Sequence, residues 1–411
     1  MPSTLLMVAL VVGLYSAWNI GANDLANAMG TSVGSRALTL RRAIICAGIC
    51  EFLGAALLGS HVTDTIRKGI IDPMMFASNP ETLALGMLAA LISSALLLHL
   101  LSILGMPAST THAIVGAVTG FGLLQMGIQA IFWKKLVFIF ISWVTSPLVG
   151  GIMAFVMFKF IAHHILSSDL PYAKAVKASP YLVSSVVFIL TLSIVYKGLL
   201  QRYADFSFRE SFLCAFLLGS LAFLVTRFFF RDRRESRGLE DEYRRVEKIF
   251  SVLQVITACY VAFAHGANDV ANAIGPLATI INIAFTNAIC MQVQVPIGLL
   301  LLGGAGIVLG LATYGYKVIE TVGRKITEIT PSRGFSAEFA TATTVLVCSK
   351  MGLPISTTHT LVGAVIGVGF ARGIAVLNFG VIRNIITSWL IIIPGAALMT
   401  MIIFKLLKIF Y

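Results

Sequence analysis

Ten residues of this chain occur twice, 245 positions apart, and each copy sets one Asp and two Asn into an apolar stretch. The copies are GANDLANAMG at Gly21–Gly30 and GANDVANAIG at Gly266–Gly275, identical at eight of ten positions. Amide and carboxylate oxygens suit a hard cation, and amide N–H groups suit an anion. Polar contacts between packed helices are the alternative. Because an ionisable side chain costs roughly 2.5–3.5 kcal/mol in a membrane interior, two copies that each keep an acid favour a substrate or ion site.

A second duplicated element carries hydroxyl groups. GMPASTTHAIVGAVTG at Gly105–Gly120 recurs 247 positions later as GLPISTTHTLVGAVIG at Gly352–Gly367, with eleven of sixteen positions identical. In each copy a proline, Pro107 or Pro354, ends or redirects a helix, and the Ser-Thr-Thr that follows suits the start of a new helix. A helix N-terminus offers free N–H groups and about half a positive charge, so it attracts anions. Ordinary capping of two broken helices is the alternative.

Together the two elements predict a site for a tetrahedral oxyanion such as phosphate. The candidate oxyanion-binding residues are Asp24, Asn27, Ser109, Thr110, Thr111, Asp269, Asn272, Ser356, Thr357 and Thr358. His112 and His359 follow the triplets and are candidate accessory residues. Each is either a structural histidine or a proton carrier or anion donor.

Two further acids, Glu51 and Glu338, lie in apolar stretches but do not obey the repeat. Their counterparts are Ile307 and Leu91, and no Lys or Arg lies deep in a predicted span to pair with either acid. Together with Asp24 and Asp269 they would place up to four negative charges near the anion. One such pair at 4 Å repels by about 4 kcal/mol at an effective dielectric of 20, so phosphate needs a cation or proton to enter with it. The candidate residues for the coupling ion, for which Na⁺ is suited at least as well as a proton, are Asn23, Asp24, Glu51, Asn268, Asp269 and Glu338.

The elements that must position these residues are membrane-spanning helices. The chain has 411 residues, of which 58% are hydrophobic and 12% charged, whereas a soluble domain carries about 25% charged residues. The apolar runs predict an all-α polytopic membrane protein with about twelve transmembrane helices. The predicted spans lie near 4–28, 38–60, 82–104, 108–127, 133–160, 181–200, 210–230, 249–277, 296–317, 336–351, 355–372 and 380–408. The fourth, tenth and eleventh are short and rich in Gly, which favours broken or re-entrant helices at the membrane midplane.

The duplication divides the chain into two five-span repeats. The first covers residues 1–162 and the second 248–411, with two intervening spans in 163–230 and a basic cytoplasmic loop at 231–247. The first and eighth spans correspond to each other, seven crossings apart, and an odd number of crossings reverses direction. The repeats are therefore predicted to be inverted, with the site between them near the midplane.

The net charge of +12 is a topology signal. Basic residues concentrate in alternate loops, including Arg36, Arg41, Arg42, Arg324 and Lys325 and the arginine-rich segment at 227–248. The positive-inside rule makes these loops cytoplasmic and places both termini outside the cell. No aromatic-interleaved basic module is present, so nucleic acid is not a predicted partner. The six Cys contain no CxxC pair and read as small apolar helix residues, and no cofactor beyond the coupling ion is expected. The N-terminus MPSTLL has no basic region typical of a signal peptide.

The chain resembles the inorganic phosphate transporter family of the PiT type over nearly its whole length. The resemblance rests on the two GAND copies, the two Pro-x-Ser-Thr-Thr-His elements, HVTDTIRKGIIDP at His61–Pro73 and PSRGFSAEF at Pro331–Phe339. It implies cation-coupled uptake of inorganic phosphate, an inverted-repeat fold and often a homodimer. It also implies that both GAND copies and both Ser-Thr-Thr triplets hold phosphate. By the same resemblance Glu51 and Glu338 match acids that the family needs for transport through its coupling ions.

The predicted function is symport of inorganic phosphate with Na⁺ into the cell, across the plasma membrane, by alternating access. Proton-coupled uptake of phosphate or a metal–phosphate complex stays open, as does uptake of sulfate or arsenate. A passive anion channel is disfavoured because carboxylates along the pore would repel the ion. An enzyme is not predicted, since the sequence has neither HExxH nor GxSxG, although aspartyl chemistry from Asp24 and Asp269 is formally open.

Overall fold

The computed structural model describes residues 3–106, 108–196, 206–230, 238–289, 295–316, 329–373 and 378–410. In these ranges the chain is almost entirely helical, which confirms the predicted all-α class. The thirteen described helices are α1 (Ser3–Gly34), α2 (Leu40–Leu58), α3 (Ser60–Lys68), α4 (Pro80–Ile103), α5 (Thr110–Met126), α6 (Trp133–Ile161), α7 (Pro171–Val195), α8 (Phe208–Phe229), α9 (Leu239–Thr286), α10 (Ile297–Thr313), α11 (Pro331–Lys350), α12 (Thr357–Arg372) and α13 (Phe379–Phe410).

Eight helices in the described ranges are long and apolar enough to cross a membrane. They are α1, α4, α5 with the 3₁₀ turn after it, α6, α7, α8, α9 and α13. The four remaining predicted spans coincide with α2, α10, α11 and α12, which are shorter, more charged or less apolar. The chain is therefore built as a multi-pass membrane protein.

The two helices that carry the GAND copies lie side by side and run in opposite directions. Gly13 of α1 lies against Leu277 of α9, and Ser35 at the other end donates a hydrogen bond to the Gln254 side chain at 2.6 Å. Residue numbers thus rise along α1 as they fall along α9. Inverted repeats require this antiparallel arrangement, and the repeat boundaries at 162 and 248 stay predictions.

Both GAND copies lie inside unbroken helices, although Gly and Asn weaken a helix in isolation. Their glycines serve close packing instead. A Cβ atom on Gly21 would collide with the backbone carbonyl of Ile307, and one on Gly266 with that of Glu51. Ile307 and Glu51 are themselves counterparts in the repeat. Each motif helix therefore packs, backbone to backbone, against the second helix of the opposite half.

The helix breaks lie at the two Ser-Thr-Thr elements, as predicted. Helix α11 ends at Lys350, Pro354 lies in the non-helical turn, and α12 begins at Thr357. The first-half equivalent is the turn between α4 and α5, in which Pro107 lies outside the described residues. Helices α5 and α12 pack against α13 and α6 respectively, so each broken helix is held by a helix of the other half.

The predicted basic loop at 231–247 is wrong from Leu239 onward, because that part forms the first turns of the 48-residue helix α9. Residues 231–237 lie outside the described residues, as do Arg324 and Lys325. Two carboxylates in these first turns of α9 cap the N-termini of other helices. Glu247 accepts hydrogen bonds from the Ser332 N–H at 3.0 Å and its hydroxyl at 2.7 Å, and Glu242 accepts one from the Tyr172 N–H at 3.1 Å. A carboxylate at a helix N-terminus satisfies free N–H groups and the helix dipole.

Candidate functional site

Three buried carboxyl groups surround one imidazole where α1, α2 and α9 meet. The Nε2 atom of His265 lies 2.8 Å from Asp269 Oδ2 and 3.3 Å from Asp24 Oδ2. Its Nδ1 atom lies 3.2 Å from Glu51 Oε1. The side chains of all four residues are inaccessible to solvent or almost so. Asp24, Asp269 and His265 are also close enough together to share a metal ion.

His265 is the member of this cluster that sequence reasoning missed. It stands one residue before the second GAND copy, one helical turn from Asp269, and its counterpart in the first half is Ile20. The expectation for Glu51 concerned Lys and Arg only, and the structure adds an imidazole as its neighbour. The available signal was a histidine in an apolar span that breaks the repeat, as Glu51 and Glu338 do.

Asn27 and Asn272 make matching contacts that link the two halves. The Asn27 amide donates to Asp24 Oδ1 at 2.6 Å and to the Thr358 hydroxyl at 2.8 Å. The Asn272 amide donates to Asp269 Oδ1 at 3.2 Å and to the Thr111 hydroxyl at 3.2 Å. Each Asn therefore connects the Asp of its own half to a threonine of the other. Within the described part of the chain, neither Asn has a hydrogen-bond donor for its Oδ1 oxygen.

The Ser-Thr-Thr triplets begin helices in the predicted way. The hydroxyl of Ser109 accepts a hydrogen bond from the N–H three residues on, at 3.2 Å, and that of Ser356 does the same at 3.2 Å. Both serines are N-caps, and both triplets are buried. Thr357 donates to Asp269 Oδ2 at 2.9 Å. This bond brings one helix N-terminus into contact with the acid pair, the two GAND aspartates Asp24 and Asp269. Thr110 lies 3.3 Å from the Asn272 amide.

The turns before these helices hold each other. The Thr111 hydroxyl donates to the carbonyl of Ile355 at 3.0 Å, and the Thr358 hydroxyl donates to that of Ala108 at 3.1 Å. These two bonds are counterparts under the repeat. The two helix N-termini are therefore fixed relative to each other across the boundary between the halves.

The first Asn of each GAND copy supports these turns. Asn23 accepts a hydrogen bond from the Ala108 N–H at 3.0 Å and donates to the Ser102 hydroxyl at 2.9 Å. Asn268 donates to the Ile355 carbonyl at 2.9 Å and accepts from Ser349 at 3.3 Å. Their side-chain oxygens are already engaged, which favours a positioning role. Their role as Na⁺ ligands stays a prediction.

Glu338 forms a second and separate polar cluster. Its carboxylate accepts hydrogen bonds from Thr31 at 2.5 Å, Ser32 at 2.6 Å, Thr257 at 2.7 Å and the Gln254 amide at 3.1 Å. All five side chains are held between α1, α9 and α11. The five counterparts in the repeat are Pro276, Leu277, Val12, Ala9 and Leu91, none of which is polar. The cluster therefore has no polar counterpart at the positions that the repeat relates to it.

Of the up to four acids expected near the anion, three lie together at His265 and Glu338 does not. Thr257, which holds Glu338, lies eight residues before His265 on α9, or about 12 Å along the helix axis. Asp24, Asp269 and Glu51 meet at His265, while Glu338 lies about two turns away. The sequence could not separate them, because both clusters belong to the same pair of helices.

His112 and His359 lie behind the triplets. Their rings meet edge to face with centroids 4.3 Å apart, and each also contacts a tryptophan: His112 lies tilted against Trp143, and His359 stacks on Trp389. Within the described residues the ring contacts of both histidines are to each other and to the tryptophans, and none joins them to Asp24 or Asp269, so direct anion donation by these rings has no geometric support. A proton-carrier role stays untested.

Comparison with known proteins gives consistent results. The profile of the Phosphate transporter family matches residues 20–400. A protein of Pyrococcus abyssi, provisionally named a phosphate permease, is 45% identical over 404 residues, which cover 98% of each chain. A Chlamydia trachomatis protein with the same provisional name is 42% identical over 422 residues, covering 98% of this chain and 99% of its own. A solved structure described as the sodium-dependent phosphate transporter superposes with a TM-score of 0.93 at 44% identity, covering 99% of this chain and 100% of that one.

Proposed function

This chain belongs to the Phosphate transporter family, and from that premise we propose that it carries inorganic phosphate into the cell together with Na⁺. The observation that supports this most directly is the meeting of two Ser-Thr-Thr helix N-termini, one from each half, beside a pair of buried aspartates. Helix N-termini and hydroxyls attract an oxyanion, while the aspartates repel it. A site that does both needs a positive partner for its substrate.

Phosphate is placed between the two helix N-termini. Thr110, Thr111, Thr357 and Thr358 offer hydroxyls, and the amides of Asn27 and Asn272 offer N–H groups that now bond Asp24 and Asp269. Phosphate can also donate a hydrogen bond to a carboxylate, which sulfate at neutral pH cannot do. The acid pair therefore favours phosphate over sulfate, while arsenate has the same hydrogen-bonding groups.

Two cation positions are proposed. At the first, Asp24 and Asp269 are joined by the free Oδ1 oxygens of Asn27 and Asn272, which lack protein donors in the described ranges. At the second, Glu338 lies among hydroxyl and amide groups that also carry oxygens. All of these are hard oxygen ligands of the kind that Na⁺ accepts. The sodium dependence stated for the similar solved structure supports Na⁺ as the coupling ion.

The transport cycle is proposed to run by alternating access about the boundary between the two halves. The antiparallel α1 and α9 support inverted repeats, and the site lies where they meet, as expected for such transporters. The protein is placed in the plasma membrane with both termini outside, since basic loops favour the cytoplasmic side. A homodimer is proposed from the family resemblance alone.

The test is uptake of radiolabelled phosphate into proteoliposomes with an imposed Na⁺ or H⁺ gradient. An inward Na⁺ gradient at equal pH is expected to drive accumulation, and an ionophore that dissipates the gradient is expected to abolish it. If neither the Na⁺ gradient nor the H⁺ gradient drives uptake, phosphate symport is refuted. Uptake that follows the pH gradient and ignores Na⁺ would refute Na⁺ coupling.

Proton coupling is the second candidate, and His265 is the observation that favours it. Its imidazole lies among three carboxylates and could carry the positive charge that Na⁺ would otherwise supply. The two candidates differ in a simple control. Replacing Na⁺ by choline at constant pH abolishes Na⁺-coupled uptake and leaves proton-coupled uptake unchanged.

A further inference from the structure

Four aromatic rings form one continuous row directly behind the two Ser-Thr-Thr turns. In order they are Trp143, His112, His359 and Trp389, with neighbouring centroids 3.8, 4.3 and 3.4 Å apart. Both histidines and Trp143 are buried, and Trp389 is partly buried. We call this row the four-ring stack. It crosses the boundary between the halves, since two rings come from each.

The stack obeys the repeat. His112 corresponds to His359, and Trp143 corresponds to Trp389, at offsets of 247 and 246. The pseudo-two-fold axis therefore passes between the two imidazoles. Each histidine is the third residue after the N-cap of its helix, and its own N–H binds the capping serine. A movement of either ring is thus transmitted to the first turn of α5 or α12.

The two imidazoles act in the row mainly through ring packing. Among the described residues, neither ring nitrogen of His112 has a hydrogen-bond partner, nor has Nε2 of His359. Trp143 adds a directional bond, because its indole N–H donates to the carbonyl of Pro354 at 2.9 Å. A tryptophan of the first half therefore holds the turn that begins α12 of the second half.

We propose that the four-ring stack is a positioning element that sets the separation of the two helix N-termini, and with it the affinity and size selectivity for a tetrahedral oxyanion. This inference rests on the proposed function. Close-packed interiors transmit a change in volume to their neighbours, so a smaller side chain in the stack lets α5 and α12 shift. A misplacement of about 1 Å in a positioned site costs about 10²-fold.

The test compares Trp143→Leu with Trp133→Leu. Trp133 begins the same helix, is exposed and also donates its ring N–H to a backbone carbonyl, so it is the matched control. Phosphate uptake is measured at saturating Na⁺, Na⁺ activation at saturating phosphate, and arsenate as a competitor. For Trp143→Leu we expect KM for phosphate to rise about tenfold or more, the half-activating Na⁺ concentration to stay within about twofold, and the ratio of arsenate to phosphate affinity to change. For Trp133→Leu we expect all three values to match the wild type.

Trp143→Phe keeps a ring and loses the bond to Pro354, so it is expected to recover most of the affinity lost in Trp143→Leu. Phosphate-dependent thermal stabilisation of the purified transporter supplies a readout independent of transport. If Trp143→Leu does not fold, Trp389→Leu, which removes the counterpart ring, carries the test through the same two measurements with the same expected rise in KM. Wild-type KM and wild-type arsenate selectivity in folded Trp143→Leu, or in folded Trp389→Leu where it replaces that variant, would overturn the inference. Absence of phosphate uptake in the wild-type protein would instead overturn the proposed function.

Discussion

Replacing Glu338 by Gln should separate the second cation position from the phosphate site. The substitution keeps the shape of the side chain and removes one buried negative charge. A cation at about 4 Å loses about 4 kcal/mol of attraction at an effective dielectric of 20, which is about 10³-fold in affinity. The amide oxygen of glutamine can still accept from Thr31 and Ser32, and its NH2 group can donate to the Thr257 hydroxyl, which reverses one bond, so the packing of α1, α9 and α11 should survive.

Glu338→Gln should change the affinity for phosphate only slightly, and should raise it, whereas it lowers the affinity for Na⁺. Glu338 lies about 12 Å from the His265 cluster, where its repulsion of a single negative charge is about 1.4 kcal/mol at the same dielectric. Its removal should therefore tighten phosphate binding by at most about tenfold once Na⁺ is saturating. A substitution inside the phosphate site would have the reverse pattern, with a large loss of phosphate affinity.

The assay is Na⁺ activation of phosphate uptake in proteoliposomes, recorded at several phosphate concentrations. For Glu338→Gln we expect a large increase in the half-activating Na⁺ concentration and a lower Hill coefficient. Glu210→Gln is the matched control, because Glu210 is an exposed capping residue of α8. An unchanged Na⁺ activation curve in a folded Glu338→Gln protein would refute the assignment of a cation to this cluster.

Three further predictions concern packing and capping. Gly266→Ala should lower the midpoint of thermal unfolding, because its Cβ would strike the Glu51 backbone and overpacking typically costs about 1–3 kcal/mol. Gly298→Ala has open space around its Cβ and should be neutral in the same melting experiment. Ser356→Ala should weaken phosphate-dependent stabilisation and destabilise α12 by about 1 kcal/mol; equal phosphate stabilisation in variant and wild type would argue against a role for this N-terminus. Glu247→Gln should cost about 1 kcal/mol in thermal unfolding because it weakens the cap of α11, and a midpoint equal to that of the wild type would contradict the capping role.

The local pattern of the sequence was sufficient for the presence of the long helices and for the starts of α5 and α12. Apolar runs of about 20 residues predicted the long spans, and the Ser-Thr-Thr triplets predicted new helix N-termini at the positions where α5 and α12 begin. These features depend on neighbouring residues along the chain, so they can be derived without tertiary contacts. The basic segment was misjudged for the same reason. Its charges suggested a loop, whereas the first turns of α9 are fixed by Glu242 and Glu247 capping helices distant in sequence.

The duplication predicted which residues would meet, and the departures from it predicted where function is asymmetric. Asn27 and Asn272 make equivalent contacts because the two halves use the same residues at the same spacing. Glu51 and Glu338 were correctly singled out as unrepeated, and the same reasoning applied to histidine would have found His265 opposite Ile20.

Tertiary structure decided how the polar residues are grouped. Whether Glu51 or Glu338 faces Asp24 depends on the rotation and offset of α2 and α11 against α9, and those depend on backbone contacts such as Gly266 with Glu51. The same packing divided the asparagines into two kinds, with Asn23 engaged in supporting a turn and the oxygen of Asn27 left without a donor. The sequence determined the chemical groups available to bind an oxyanion and its cations. Only the packing of antiparallel α1 and α9 determined which of those groups share one site, because helices that lie side by side bring together residues some 240 positions apart.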